Sequence, residues 1–173
     1  MRRTFASLNL REALHVAIFI EERNAGIYHR FAEMFTEFRD PDSLEIASVF
    51  WDMAVEERRH SGVLQEKYQE RYGNIRCALT EEDLQDMIEV PRLDDGDVFA
   101  DPTTAKYSTR ERALTVVLAA EQSARNYYSC LAEETKDTHL RHLYNELATM
   151  EDGHVAYLEN MLSASASEDK GVN

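Results

Sequence analysis

Cysteine, proline and glycine are scarce in this chain of 173 residues, which contains two, three and six of them, respectively. Cys77 and Cys130 are too few and too far apart in sequence for a Cys-x-x-Cys metal knuckle or a disulfide framework. The shortage of proline and glycine disfavours a fold of short strands and tight turns. Together with 30% charged and 43% hydrophobic residues, it favours long helices. The length fits one domain, residues 1–173, with a substantial core.

Basic residues are also in deficit, with 19 of them against 33 acidic residues and a formal charge of -14. Such a surface repels phosphate backbones and anionic membranes, so we expect no nucleic acid or membrane partner, whereas divalent cations are attracted. A long hydrophobic run is missing too, because Arg11, Glu12 and His15 interrupt the N-terminal region. We therefore predict neither a signal peptide nor a membrane span, and a reduced, cytoplasmic location.

Capping signals and apolar periodicity predict four long helices. Asn9 and Glu12 match a capping box, and Asp40 before Pro41 matches an N-cap followed by proline at the first helical position. The predicted ranges are residues 9–39, 41–72, 108–135 and 138–162, with a crossover at 73–107 that contains one short helix and a loose tail at 163–173. Two antiparallel helix pairs joined by a long crossover predict an all-α, ferritin-like four-helix bundle.

The second helix carries two polar residues on its apolar stripe. Glu57 and His60 continue the series of Ile46, Phe50 and Met53, so a carboxylate and an imidazole point toward the core on one helix face. Burying such a pair is costly unless something compensates, and a bound ion is the usual compensation. One Glu-x-x-His pair is weak support because the pattern is common by chance.

The same pattern recurs in the second half of the chain. Glu151 and His154 occupy the corresponding places on the stripe of the fourth helix. Helices one and three also match at an offset of one hundred residues, which pairs the inward Glu21 with Glu121. The same offset pairs Tyr28 with Tyr128. An internal repeat that preserves a buried glutamate and a tyrosine two turns later is hard to attribute to packing alone.

Each half thus contributes one lone glutamate and one Glu-x-x-His pair, which gives four carboxylates and two imidazoles in one bundle. This ligand set suits first-row metals such as iron or manganese, and six protein ligands suffice for two ions. Without metal, four buried carboxylates would repel one another and would have to take up protons or water. The absence of sulfur ligands argues against an iron–sulfur cluster or a structural zinc site.

With these helices and motifs, residues 9 to 162 resemble the ferritin-like di-iron superfamily and look most similar to rubrerythrin and bacterioferritin. The resemblance implies two iron ions, with manganese or a mixed pair as alternatives. It assigns Glu57 and Glu151 as bridging carboxylates, and Tyr28 and Tyr128 as hydrogen-bond donors to ligand carboxylates. The full set of metal ligands that it implies is Glu21, Glu57, His60, Glu121, Glu151 and His154.

Two features depart from the rubrerythrin pattern. Rubrerythrins usually carry a rubredoxin-like domain with two Cys-x-x-Cys knuckles, which this chain lacks, so its electrons would come from a separate donor. They also tend to have an extra carboxylate one turn from the third-helix ligand, but Leu118 and Ala124 flank Glu121 here. The resulting symmetry, as in bacterioferritin, favours simple ferrous oxidation by oxygen or peroxide over a peroxidase-specific movement of one iron.

Plainer readings compete with several of these assignments. A register error would exchange Glu22 for Glu21 or Glu56 for Glu57, and the two tyrosines are equally explained as core aromatics with satisfied hydroxyls. Arg125 occupies a stripe position and is expected to snorkel or to pair with a carboxylate. Four histidines fall outside the ligand set: His15, His29, His139 and His142. Of these, His139 and His142 lie in the first turn of the fourth helix and are expected to be exposed.

The function expected from these observations is that of a di-iron peroxidase or ferroxidase, which reduces peroxide or oxygen with ferrous iron or an external electron donor. The alternatives are oxygen activation toward an organic substrate, an iron-storage cage, and a helical interaction module without redox activity. We expect a homodimer or a larger homo-oligomer. Solution size separates a storage cage from a dimeric enzyme.

Overall fold

The computed structural model describes residues 8–75, 79, 83 and 109–168. Within these ranges every regular element is an α-helix, and the four long helices are α1 (Leu10–Phe38), α2 (Pro41–Tyr72), α3 (Thr109–Glu134) and α4 (Thr138–Glu168). The chain divides into two compact units, Met1–Glu89 and Val90–Asn173. The first unit contains α1 and α2, and the second contains α3 and α4.

The ends of α1 and α2 form as their sequence signals predict. The side chain of Asn9 accepts a hydrogen bond from the backbone N–H of Glu12 at 3.1 Å, and Glu12 accepts one in return from the N–H of Asn9 at 3.0 Å. Arg39 ends α1 in the left-handed conformation, with φ of 60°. Asp40 then caps α2 by accepting from the N–H of Ser43 at 2.9 Å, and Pro41 occupies the first turn.

The first unit is an antiparallel hairpin. The ring centroids of Phe31 and Phe50 lie 5.5 Å apart near the loop end, whereas those of His15 and Tyr68 lie 6.3 Å apart near the other end. In one direction along the hairpin, residue numbers rise in α1 and fall in α2, so the two helices are antiparallel. Two glutamates and one histidine point inward among large apolar side chains on the facing sides of the helices. These apolar side chains are fully buried: Leu14, Ile46, Phe50 and Leu64.

The second unit repeats this arrangement. Asp137 caps α4 by accepting hydrogen bonds from the N–H groups of His139 and Leu140, both at 3.0 Å. Tyr128 stacks on Tyr144, with ring centroids 6.5 Å apart and planes 11° apart. Arg141 of α4 donates to the carbonyl of Ala132 at 3.2 Å near the loop, so α3 and α4 are also antiparallel.

The predicted end of the fourth helix is wrong. The sequence predicts a loose tail from residue 163, but α4 continues to Glu168. Residues 163–168 alternate serine and alanine before that glutamate, with no glycine or proline to end the helix. Alanine has the highest helix propensity, and Ser163 donates its hydroxyl to the carbonyl of Glu159 at 2.8 Å, a bond that the helical conformation accommodates.

Several predictions fall on residues that the structure does not describe. Except for residues 73–75, 79 and 83, the predicted crossover lies outside the described residues, as do its short helix, Cys77, residue 108 at the predicted start of the third helix, and residues 169–173. The predicted end of α2 at Gly73 is confirmed, since Gly73 follows the last helical residue with φ of 58°. In the described ranges, no helical stretch combines the length and the low charge content that a membrane span requires.

Candidate metal centre

The first unit brings together three of the predicted ligands, Glu21 from α1 with Glu57 and His60 from α2, which we call the first triad. Nδ1 of His60 lies 3.2 Å from Oε2 of Glu21. Each residue offers one potential ligand atom, and these atoms lie within 4.8 Å of one another. Both glutamates are 0% exposed and His60 is 7% exposed. Two buried carboxylates and a buried imidazole therefore converge on one point.

The side chains of the first triad point inward because of their positions along the helices. Glu57 and His60 lie one turn apart on the buried face of α2, between Met53 and Leu64. The neighbouring Glu22 and Glu56 are exposed, which excludes the one-residue register error. Glu22 instead accepts a hydrogen bond at 2.8 Å from Gln65, on the exposed side of the hairpin.

The second unit contains the second triad, which consists of Glu121 from α3 with Glu151 and His154 from α4. Nδ1 of His154 lies 3.2 Å from Oε2 of Glu121 and 3.5 Å from Oε2 of Glu151. The ligand atoms of the three residues again lie within 4.8 Å of one another. Both glutamates are 0% exposed, and the side chain of His154 is 15% exposed. The two triads share residue types, spacing and the closest histidine–glutamate distance.

The electrostatics of the second triad favour a cation. Burial lowers the pKa of His154, but hydrogen bonds to Glu121 and Glu151 and their negative charges outweigh burial and raise it to about 11. The carboxylates thus hold positive charge on the ring, although the ring is largely buried. A metal ion that binds at the same point replaces that proton as the compensating charge.

The donor set fits a first-row metal such as iron or manganese. Carboxylate oxygens and imidazole nitrogens are ligands that these ions accept, and three of them leave open coordination positions for a reacting molecule. Thiolate is not among the donors, and Cys130 is half-buried and belongs to neither triad. The buried glutamate and histidine clusters therefore fit a binuclear site for metals of this class.

The other predicted residues occupy distinct environments. Tyr28 and Tyr128 are 0% exposed, but their predicted role beside the ligands stays a prediction. Arg125 pairs with a carboxylate as expected, with Nη1 lying 3.4 Å from Oδ1 of Asp152. His139 and His142 are exposed, also as expected.

Sequence reasoning missed two features near the triads. Tyr144 of α4 stacks on Tyr128, a contact between helices that the pattern of neither helix predicts. The amide of Asn24 is 2% exposed on α1, although alanine, Ala124, occupies the corresponding place in the repeat. A search of the repeat for positions where the two halves differ would have found both residues.

Comparison with known proteins identifies the family. The family model described as Rubrerythrin matches residues 12–92 and 113–172, which include all six triad residues. The chain belongs to the rubrerythrin family. The resemblance inferred from the motifs is thereby confirmed, as is a rubrerythrin-type domain with buried glutamate and histidine clusters.

Two solved structures share the fold of this rubrerythrin-family chain. An uncharacterized conserved protein from Magnetospirillum magnetotacticum is 22% identical, with a TM-score of 0.71, and the match covers 91% of this chain and 95% of that one. A hypothetical protein from Pyrococcus furiosus is 21% identical, with a TM-score of 0.64 and coverage of 91% and 90%. The predicted all-α, ferritin-like four-helix bundle is confirmed. No curated protein matches the chain.

Proposed function

We propose that this protein is a rubrerythrin-type oxidoreductase with a dinuclear metal centre, in which each triad holds one ion. Iron is the metal proposed, with manganese or a mixed pair as the alternative for the same ligands. The reaction is the reduction of peroxide or oxygen, with electrons from ferrous iron or an external donor. The observation that supports it is the duplicated, buried Glu/Glu/His triad in a chain of the rubrerythrin family.

Metal ions in such a centre supply the electron transfer, and the protein supplies their surroundings. The four glutamates offset the charge of the ions, and the two histidines complete the coordination. Full burial of the glutamates keeps bulk water away, which strengthens the interaction between each carboxylate and a cation. Glu57 and Glu151 would hold the ions together with the other triad residues, and Tyr28 and Tyr128 would orient the ligand carboxylates.

The proposal includes a separate electron donor and a self-associating chain. In this proposal, electrons arrive from ferrous ions or from a separate donor protein. The chain acts in a reduced cytoplasm as a homodimer or a larger homo-oligomer. An acidic surface suits access by ferrous ions, since it attracts divalent cations.

The test is ferrous oxidation by purified protein that has been loaded with iron under argon. Addition of peroxide or of oxygen should oxidise the bound iron in a stopped-flow experiment, with the near-ultraviolet absorption of an oxo-bridged ferric pair. Glu57→Ala and Glu151→Ala should lose this absorption. Glu22→Ala and Glu56→Ala are matched controls, because each removes an exposed glutamate next to a triad glutamate. They should behave as wild type.

Two outcomes would overturn the proposal. The first is iron that binds but is oxidised no faster than free iron in buffer, and the second is equal behaviour of the triad variants and their controls. Sedimentation of the same samples separates the storage alternative, since a closed cage is many times heavier than a dimer. A chain that binds no metal after iron is supplied would favour the interaction module.

A further inference from the structure

Three tyrosines form a cluster within the second unit. Tyr127 and Tyr128 lie on α3, and their ring centroids are 5.8 Å apart. Tyr144 of α4 stacks on Tyr128 at 6.5 Å. The three residues are 4%, 0% and 0% exposed, respectively. We call these residues the tyrosine cluster, a continuous run of phenol rings that are shielded from water.

The cluster lies close to the second triad along both helices. Tyr128 follows Glu121 by seven residues, and Tyr144 precedes Glu151 by seven. At a rise of roughly 1.5 Å per residue, seven residues correspond to about 10 Å along a helix. Because α3 and α4 are antiparallel, both displacements point the same way, toward the loop between the helices. The stacked rings therefore lie about two helical turns from the triad.

The part of the first unit that the structure describes contains no such cluster of buried tyrosines, although it carries the same triad. The repeat that pairs Tyr28 with Tyr128 places Ile27 opposite Tyr127. The repeat that pairs Glu57 with Glu151 places Phe50 opposite Tyr144. Phe50 packs against Phe31 and Phe35 at 5.5 and 5.9 Å, so phenylalanine fills this part of the first unit.

The comparison of the two units separates what a tyrosine contributes to packing from what it contributes to chemistry. A phenylalanine ring buries nearly the same apolar surface as tyrosine without a hydroxyl that needs a partner in the core. What tyrosine adds is an O–H group that can lose one electron and one proton. Burial, and then the nearby Tyr144 and Cys130, raise the pKa of Tyr127 well above its usual value, so its proton stays on until an electron leaves.

Cys130 connects the tyrosine cluster to the surface of the second unit. It lies three residues after Tyr127, hence one turn further on the same side of α3, and it is half-buried. Burial, then the charges of Glu134 and Glu133 and a hydrogen bond with Glu134, raise the pKa of its thiol. Glu134 is also a nearby acceptor for the proton that the thiol releases on oxidation. In the first unit, Arg30 occupies the corresponding position.

We propose that the tyrosine cluster and Cys130 form a one-electron relay that supplies electrons from the surface of the second unit to the interior beside the second triad. This relay rests on the proposed function, because peroxide is its oxidant. It acts when peroxide arrives after the ferrous iron has been consumed. The cluster then gives up electrons in place of ligands or neighbouring core residues.

The step balances with peroxide as the oxidant. One hydrogen peroxide takes two electrons and two protons and gives two water molecules. One electron leaves a phenol of the cluster, which becomes a phenoxyl radical, and the other leaves Cys130, which becomes a thiyl radical. The O–H and S–H bonds break, and their two protons match the two consumed in forming water. The external electron donor of the proposed function later reduces both radicals.

The first test uses electron paramagnetic resonance on iron-loaded protein that has been fully oxidised and then frozen after a further addition of peroxide. A tyrosyl signal is expected in wild type. Tyr127→Phe and Tyr144→Phe should lose most of this signal. Cys130→Ser should prolong it, because the tyrosyl radical can then no longer take an electron from Cys130. Tyr157→Phe is the control, since Tyr157 also lies on α4 but is 48% exposed. It should leave the signal unchanged.

Trapping of the thiyl radical tests the order of the relay. With a nitrone spin trap present, mass spectrometry should find the adduct on Cys130 in wild type and not in Tyr127→Phe. A merely structural tyrosine would not move the site of trapping. Iron content and ferrous oxidation are measured on the same samples, so intact iron chemistry without a tyrosyl signal overturns the relay and leaves the proposed function standing.

The second test needs no metal and therefore decides the relay even if the proposed function fails. A ruthenium polypyridyl label on Cys130, with Cys77→Ser to remove the other thiol, is oxidised by a laser flash and an external quencher. Tyrosyl radical should form, and Tyr127→Phe should remove most of it. The matched control carries the label on Arg30→Cys in a Cys77→Ser, Cys130→Ser chain, beside Ile27 and Phe50. Equal radical yields from the two labelled positions would overturn the relay.

Discussion

Nδ1 of His154, a half-buried side chain of α4, lies 3.2 Å from Oε2 of the fully buried Glu121 of α3. Each is a potential metal-ligand atom, so a cation near both replaces the proton that they would otherwise share. His142 and Glu146 form a superficially similar pair on the same helix, at 3.3 Å. Their side chains are 76% and 55% exposed, so that contact is a solvated surface ion pair of little energetic consequence.

Removal of one histidine should therefore remove one metal ion. His60→Ala and His154→Ala are each expected to lower the metal content from two ions per chain toward one, because in the proposed centre each triad holds its own ion. His142→Ala is the matched control and should retain two. Elemental analysis after desalting measures the content. Full retention of both ions in His60→Ala and His154→Ala would show that the triads are not the ligands.

Glu57→Gln should change stability in opposite directions with and without metal. In the metal-free protein it removes the cost of burying or protonating a carboxylate beside Glu21, which should raise the free energy of unfolding by ~1 kcal/mol. Wild type should gain about 2.7 kcal/mol per site when free Fe²⁺ is about one hundred times its Kd, and the variant should lose most of that gain. Anaerobic denaturant titrations measure both quantities.

The exposed Glu56 provides the control for this comparison. Glu56→Gln alters the adjacent position on α2 but leaves the first triad intact, so its metal-dependent gain should equal that of wild type. A metal-free Glu57→Gln protein that is no more stable than wild type, together with an unchanged gain from Fe²⁺, would contradict the assignment.

Alkylation of Cys130 should require unusually high pH. Burial and the charges of Glu134 and Glu133 raise the pKa of its thiol above its usual value, and only the thiolate reacts readily. In Cys77→Ser protein, the rate of reaction with iodoacetamide should still be rising above pH 9.0. Glu134→Gln removes a negative charge and should shift the profile to lower pH. A profile that levels off at or below the ordinary thiol range would contradict this environment for Cys130.

The fold and the six candidate ligands were accessible from sequence because they rest on periodicity. A helix repeats every 3.6 residues, so a glutamate in the series of Met53 and Leu64 has to point inward. The internal repeat supports the same assignment a second time, because it places Glu151 and His154 on the same kind of apolar stripe. Register, which decides between Glu57 and its neighbour Glu56, followed from the same count.

The features that sequence did not predict depend on local energetics or on contacts between helices. The end of α4 was placed too early because serine is a weak signal for either helix or loop, and its hydroxyl can bond within the helix, as in Ser163. The pairing of Tyr128 with Tyr144 depends on how α3 faces α4, which no single-helix pattern contains. Asn24 was overlooked because a lone amide on an apolar face has no spacing rule.

The most direct test of the central claim is a count of metal ions per chain. Wild type and Glu151→Ala are loaded with Fe²⁺ under argon, freed of loose metal by desalting, and analysed for iron and protein in the same sample. The account predicts two ions per chain in wild type and a clear loss in Glu151→Ala. Wild type with no tightly bound metal, or Glu151→Ala with both ions retained, would contradict it.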